Sequence, residues 1–139
     1  MNTTVSRSGF TLIELMVVVV IIAALAGMVL PRVLPASTEA KANIAKGDMA
    51  GISVALKMFK LHNDRFPSTS EGLGALIEAP SSARNWKGPY LEKVEKPKDP
   101  WREEYLYRYP GTHNTYGFDI WSLGPDGVEG SDDVQNWSE

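Results

Sequence analysis

Residues 7–15 read Arg7-Ser8-Gly9-Phe10-Thr11-Leu12-Ile13-Glu14-Leu15, and fifteen uncharged residues, Met16 to Leu30, follow. The apolar run from Phe10 to Leu30 is 21 residues long. As a helix it would extend about 31 Å, enough to cross the hydrocarbon core of a bilayer. Its single charge is Glu14. A carboxylate inside such a segment costs about 2.5–3.5 kcal/mol at the bilayer centre and less near the interface. The purpose of that charge decides how the head of the chain is read, and with it the architecture.

Three readings compete. A secretory signal would use Arg7, the apolar run, and Ala24-Leu25-Ala26 as a small-residue cleavage site. A signal anchor would keep the same run in the membrane. The third is a leader cut between Gly9 and Phe10, on the cytoplasmic side and before the apolar run. The first two give Glu14 no purpose, unless it simply reaches back to the interface from near the start of the helix.

The chain has 139 residues, room for one domain plus an anchor. Without the anchor roughly 100 residues remain, enough to bury a modest core. The net charge of −3 argues against nucleic acid as a partner. Acids are uneven, with six between Asp119 and Glu139 and no Lys or Arg among them. There is no cysteine, so stabilisation beyond the core must come from a metal or a neighbouring subunit rather than a disulfide.

Pro31 and Pro35 follow the apolar run and should bend or loosen the helix. From Ser37 to about His62 the pattern turns amphipathic, with Ile44, Ile52, Ala55, Leu56 and Phe59 near one face. Two helical segments in tandem suggest a long stalk whose second half packs on a globular head. A break at Asp64 leads to Ser68 and Glu71, which have capping-box spacing. A short helix burying Leu73, Leu76 and Ile77 should then run until Pro80. Residues 81–104 read as an irregular loop carrying Trp86, Tyr90 and Trp101. Residues 105–109 and 116–121 read as the strands of a hairpin whose turn is residues 110–114. The fold class is α+β.

Catalysis is poorly supported. His62 and His113 are the only histidines; neither has zinc-type spacing, and no serine sits in a nucleophile elbow. Gly72-Leu73-Gly74 lacks the third glycine and the preceding strand of a nucleotide loop. The acidic stretch 122–134, SLGPDGVEGSDDV, says more. Gly124, Gly127 and Gly130 allow tight folding that could gather Asp126, Asp132 and Asp133 with free carbonyls. Calcium takes six to eight such oxygens. The stretch lacks EF-hand spacing, and a solvated acidic turn explains its composition equally well.

The segment Arg7 to Glu14 resembles the prepilin cleavage and methylation motif. Four further blocks are similar to the major pseudopilin family of type II secretion, the G-type subunits: RFPSTSEGLGAL (65–76), WKGPYL (86–91), KDPW (98–101) and FDIWSLGPDGVEGSDDVQNW (118–137). One departure stands at residues 102–104, Arg-Glu-Glu, where the family often has a glycine-containing turn.

The resemblance implies a leader peptide (1–9), a transmembrane and filament-core helix (10–35) and a periplasmic pilin-like head (36–139). It implies a prepilin peptidase that cuts after Gly9 and N-methylates Phe10. It implies a single-pass protein of the bacterial inner membrane, in contact with lipid before assembly. Such a subunit polymerises with copies of itself, alongside minor pseudopilins and an inner-membrane assembly platform. Glu14 would then pair with the new amino group of Phe10 on a neighbouring subunit. The head is expected to hold calcium through Asp126, Asp132 and Asp133 and the carbonyls of Leu123 and Val128. A type IV pilin shares the leader, but commonly closes its C-terminal region with a disulfide. A membrane-tethered enzyme or calcium-dependent binding module is the more distant alternative, and it leaves Glu14 without a purpose.

Overall fold

The protein's structure, a computed structural model, describes residues 9–138; inside its first helix the side chains of residues 28–36 lie outside that description. Helix α1 is Leu12–Asn63. The chain divides into two compact units, Met1–Ser37 and Thr38–Glu139, and α1 contributes residues to both.

In the first unit every described side chain from Phe10 to Leu25 is exposed, the large apolar ones between 48 % and 90 %. A helix apolar on all sides cannot satisfy itself. Among the described residues no helix is long and apolar enough to cross a membrane. The last three residues of the apolar run, Met28 to Leu30, belong with the undescribed side chains, as do Pro31 and Pro35 with the bend expected there.

In the second unit α1 presents one stripe to the core: Ala45, Met49, Ile52, Ala55, Leu56 and Phe59, none more than 4 % exposed. Ile44 was expected on this face and is not; it is 56 % exposed. The stripe advances by three or four residues. Counting back from Ile52 it reaches Met49 and Ala45, and Ile44 falls about 100° away. The helix stops at Asn63, whose side chain donates to the Phe59 carbonyl at 3.0 Å. Asp64 follows in the left-handed region (φ 58), with its N–H on the Lys60 carbonyl at 2.8 Å. This is an αL stop in which an aspartate replaces the usual glycine.

The expected capping box is present. Glu71 Oε2 accepts the Ser68 N–H at 2.6 Å, and Ser68 Oγ accepts the Glu71 N–H at 3.3 Å. The element that follows, Gly72–Leu76, is a 3₁₀ helix rather than an α-helix. Gly72 at φ +59 tightens its entry, and Leu73, Ala75 and Leu76 are buried while Ile77 is only half-buried. The loop 81–104 is pinned by its aromatics. Trp86 Nε1 donates to the Ala75 carbonyl at 2.9 Å, and the Tyr90 N–H to the Leu76 carbonyl at 2.7 Å. Arg102 adopts φ 78. An arginine thus holds a backbone conformation that favours glycine.

Three antiparallel strands lie in the order β1 (Leu106–Arg108), β2 (Asp119–Ser122), β3 (Val134–Gln135). Leu106 faces Trp121, and Ser122 faces Val134. Both hairpin strands are shorter than expected, and the turn reaches Phe118. Asp119 is the cause. Its buried carboxylate accepts the N–H groups of Thr112, His113 and Asn114 at 2.8, 2.9 and 2.9 Å. Burial alone would raise its pKa, but these amides prevail and bring it down to about 2. The turn therefore folds over Asp119, and Tyr116 is left fully exposed at its tip. The core joins Phe66, Tyr107 and Phe118 from this side to the α1 stripe.

Candidate functional site

The first candidate region is the start of α1. Gly9 and Phe10 precede the helix and are exposed, Phe10 to 90 %. A Cβ at Gly9 would meet nothing within 4 Å, so the fold itself places no demand for glycine there. Any such demand comes from a molecule that approaches this backbone.

Thr11 and Glu14 form a reciprocal cap. Glu14 Oε2 accepts the Thr11 N–H at 2.9 Å and the Thr11 hydroxyl at 3.1 Å, and Thr11 Oγ1 accepts the Glu14 N–H at 3.3 Å. Glu14 thus acts locally, holding the first turn of the helix. The Thr-x-x-Glu spacing signals this in the sequence, although Thr11 is not among the expected functional residues. The cap uses Oε2, and Glu14 remains exposed and able to meet a cation.

The second region is the loop after β2. Asp126 Oδ1 accepts the Val128 N–H at 2.9 Å, and Asp133 Oδ1 accepts the Gly130 N–H at 3.2 Å. Gly124 and Gly127 have φ +68 and +69, a conformation that suits glycine. The loop closes on Asp132. A Cβ at Gly124 would lie 2.6 Å from the Asp132 carbonyl oxygen and 3.3 Å from Asp132 Oδ2. A Cβ at Gly130 would lie 3.3 Å from Asp132 Oδ1 and 3.7 Å from the Val128 carbonyl oxygen.

The glycines therefore let oxygens of Asp132 and Val128 crowd against the loop backbone. Burial pushes the Asp133 carboxyl above its ordinary pKa; the Gly130 N–H pulls it back, and the charges of Asp132, Glu129 and Asp126 raise it further. Even so, among the described residues no three His, Asp or Glu side chains converge as a metal-holding group. Asp126 and Asp133 each turn one oxygen onto a loop amide, leaving the second oxygen of each carboxylate. The donors at hand are oxygens only, a set that suits a hard cation such as calcium.

The histidines take structural posts. His62 Nδ1 lies 3.0 Å from the Tyr90 hydroxyl. His113, in the hairpin turn, stacks on Trp137 with ring centres 4.1 Å apart.

The family described as type II secretion system (T2SS), protein G, matches residues 32–137, and the prokaryotic N-terminal methylation motif matches residues 5–30. The chain belongs to the protein G family of type II secretion. It is 48 % identical to the type II secretion system core protein G of Pseudomonas aeruginosa, covering 94 % of this chain and 95 % of that one. It is 40 % identical to the core protein G of Escherichia coli K12, over 99 % and 95 % of the two chains. Among solved structures, the major pseudopilin from the type 2 secretion system of enterohaemorrhagic Escherichia coli superposes with a TM-score of 0.66 at 33 % identity. That match covers 75 % of this chain and 92 % of that one. The expected pilin-like α+β fold is that of protein G, and the choice between a pseudopilin and a type IV pilin falls to the pseudopilin.

Proposed function

We propose that this chain is the major building subunit of a type II secretion pseudopilus, whose growth drives folded proteins across the outer membrane. The observation that carries the reading is the helix from Leu12 to Gly27, exposed on every side and apolar but for Glu14, set directly after Gly9 and Phe10 on a protein G chain. Such a helix needs lipid around it, and then copies of itself. A subunit that moves from the inner membrane into a filament meets both needs in turn, with its head in the periplasm. The role is mechanical. Its partners are further copies, minor pseudopilins, the peptidase and the assembly platform.

Processing tests the reading. The protein extracted from membranes should have the intact mass of a chain that begins at Phe10 and carries one additional methyl group. Gly9→Ala should slow or block the cut, because its new side chain stands where the peptidase needs bare backbone. A mature chain beginning at Gly27, after Ala24-Leu25-Ala26, would make this an ordinary secreted protein.

We further infer that the C-terminal loop holds calcium through Asp126, Asp132, Asp133 and the carbonyls of Leu123 and Val128. The support is the crowding of Asp132 oxygens around Gly124 and Gly130 and the mutual repulsion of the acids. Bound there, a divalent cation would neutralise charge that no disulfide restrains. A ligand that binds only the folded state stabilises it by about 2.7 kcal/mol at a hundredfold excess over Kd. The detergent-solubilised full chain should therefore melt higher in calcium than in chelator, and magnesium should substitute poorly because it demands octahedral geometry. Asp126→Ala should remove the difference. Equal melting temperatures for the unsubstituted chain would leave the loop a solvated acidic turn.

A further inference from the structure

Asp99 lies in the loop before β1 and is 5 % exposed. Its Oδ1 accepts the N–H groups of Trp101 and Glu103, both at 2.9 Å. Its Oδ2 accepts the hydroxyl of Ser122, which is wholly buried at the end of β2. Ser122 Oγ in turn accepts the Gly124 N–H at 3.1 Å. A carboxylate, a hydroxyl and an amide thus form one buried chain from the 97–104 loop to the first residues of the acidic loop.

The last link matters because of peptide geometry. The Gly124 N–H and the Leu123 carbonyl belong to one planar, trans peptide unit and point in opposite directions. Fixing the N–H on Ser122 Oγ therefore fixes the aim of the Leu123 carbonyl. It also holds Gly124 against the Asp132 carbonyl, where a Cβ would come within 2.6 Å. We propose that Asp99, acting through Ser122, is the positioning residue of the cation loop. Asp99 orients the Ser122 hydroxyl so that its lone pair meets the Gly124 amide. That amide sets the Leu123 carbonyl and the seat of Asp132. The inference rests on the calcium reading of this loop and adds to it two residues that touch no cation themselves.

Calcium titration calorimetry on the detergent-solubilised full chain, with melting in chelator alongside, tests it. Supporting groups behind metal ligands typically contribute about 10–100-fold in affinity. Ser122→Ala and Asp99→Asn should each weaken calcium binding by about tenfold or more. Tyr107→Phe serves as the control. It removes a buried hydrogen bond to the Pro67 carbonyl, 2.8 Å in length, and should lower the melting temperature while leaving the calcium Kd unchanged. A purely structural role for Asp99 and Ser122 would look like this control, and a Kd within twofold of the unsubstituted chain for both variants overturns the proposal. Should Ser122→Ala fail to fold, the near-isosteric Asp99→Asn decides by the same criterion. Absence of calcium binding by the unsubstituted chain overturns the calcium reading itself, and this inference with it.

Discussion

Replacing Glu14 by Gln is expected to leave the start of the helix intact and to abolish secretion. The structure assigns the Glu14 carboxylate to the Thr11 cap, and a glutamine at the same position of a capping box serves that purpose as well. What Gln lacks is the charge. In a bundle of helices withdrawn from lipid, the Phe10 ammonium of a neighbour would be left unpaired. Stranding one partner of a buried pair costs about 3–5 kcal/mol. At 1.4 kcal/mol per decade, that is roughly two to three and a half orders of magnitude in the affinity of each added subunit. Thr11→Ala makes the opposite change. It removes the cap, worth about 1 kcal/mol, and keeps the charge, so secretion should continue. Secretion assays of the two variants, with immunoblots for membrane level, separate the roles. Normal secretion by Glu14→Gln would leave the carboxylate as a helix cap and nothing more.

The parts of this molecule legible from sequence are those where one residue answers to a periodic pattern. Ile52, Leu56 and Phe59 follow the helical repeat and are buried. Ile44 misleads because its hydrophobicity outweighs that of Ala45 in the pattern, whereas the geometry favours the smaller residue one position on. The 3₁₀ helix escapes because a five-residue segment holding two glycines offers no periodicity that distinguishes it from an α-turn. Strand β3 is two residues long, and side-chain mimicry continues its pairing. Asn136 Oδ1 accepts the Ile120 N–H at 2.9 Å, and its Nδ2 donates to the Phe118 carbonyl at 3.2 Å. An asparagine that behaves as ladder backbone has no signature in composition.

The same division holds for the candidate sites. The acids of the loop and the motif around Gly9 stand out as residue types. The groups that position them, Thr11 beside Glu14 and Asp99 behind Ser122, are visible only once the folded chain brings their atoms together. Asp99 and Ser122 stand 23 positions apart in the chain, and no local spacing links them.

Glu71 is where the head should be most easily broken. Its carboxylate accepts Arg65 Nη1 at 2.7 Å, Arg65 Nη2 at 2.8 Å, the Ser68 N–H at 2.6 Å and the Ser82 hydroxyl. One side chain thereby fastens the end of α1 to the 3₁₀ helix and to the loop beyond Pro80. Removing a partner from a fully buried pair costs about 3–5 kcal/mol. Here the Arg65 side chain keeps 33 % of its exposure and water can reach it. Glu71→Ala should therefore cost about 2–3 kcal/mol, which for a domain of this size lowers the melting temperature by roughly 10–20 °C. Glu71→Gln keeps the cap on Ser68 and should lose about half as much. Hydrogen bonds from Arg65, opposed in part by burial, hold the Glu71 carboxyl well below the usual carboxylate range. Its contribution is then complete above the unfolded pKa, about 4.3, and is lost as the pH falls towards the folded value. Thermal melts from pH 7 down to pH 3 should show a constant gap between the unsubstituted chain and Glu71→Ala to about pH 5, and a gap that narrows with each step below it. Parallel melting curves across that range would show that the contribution of Glu71 is packing and not charge.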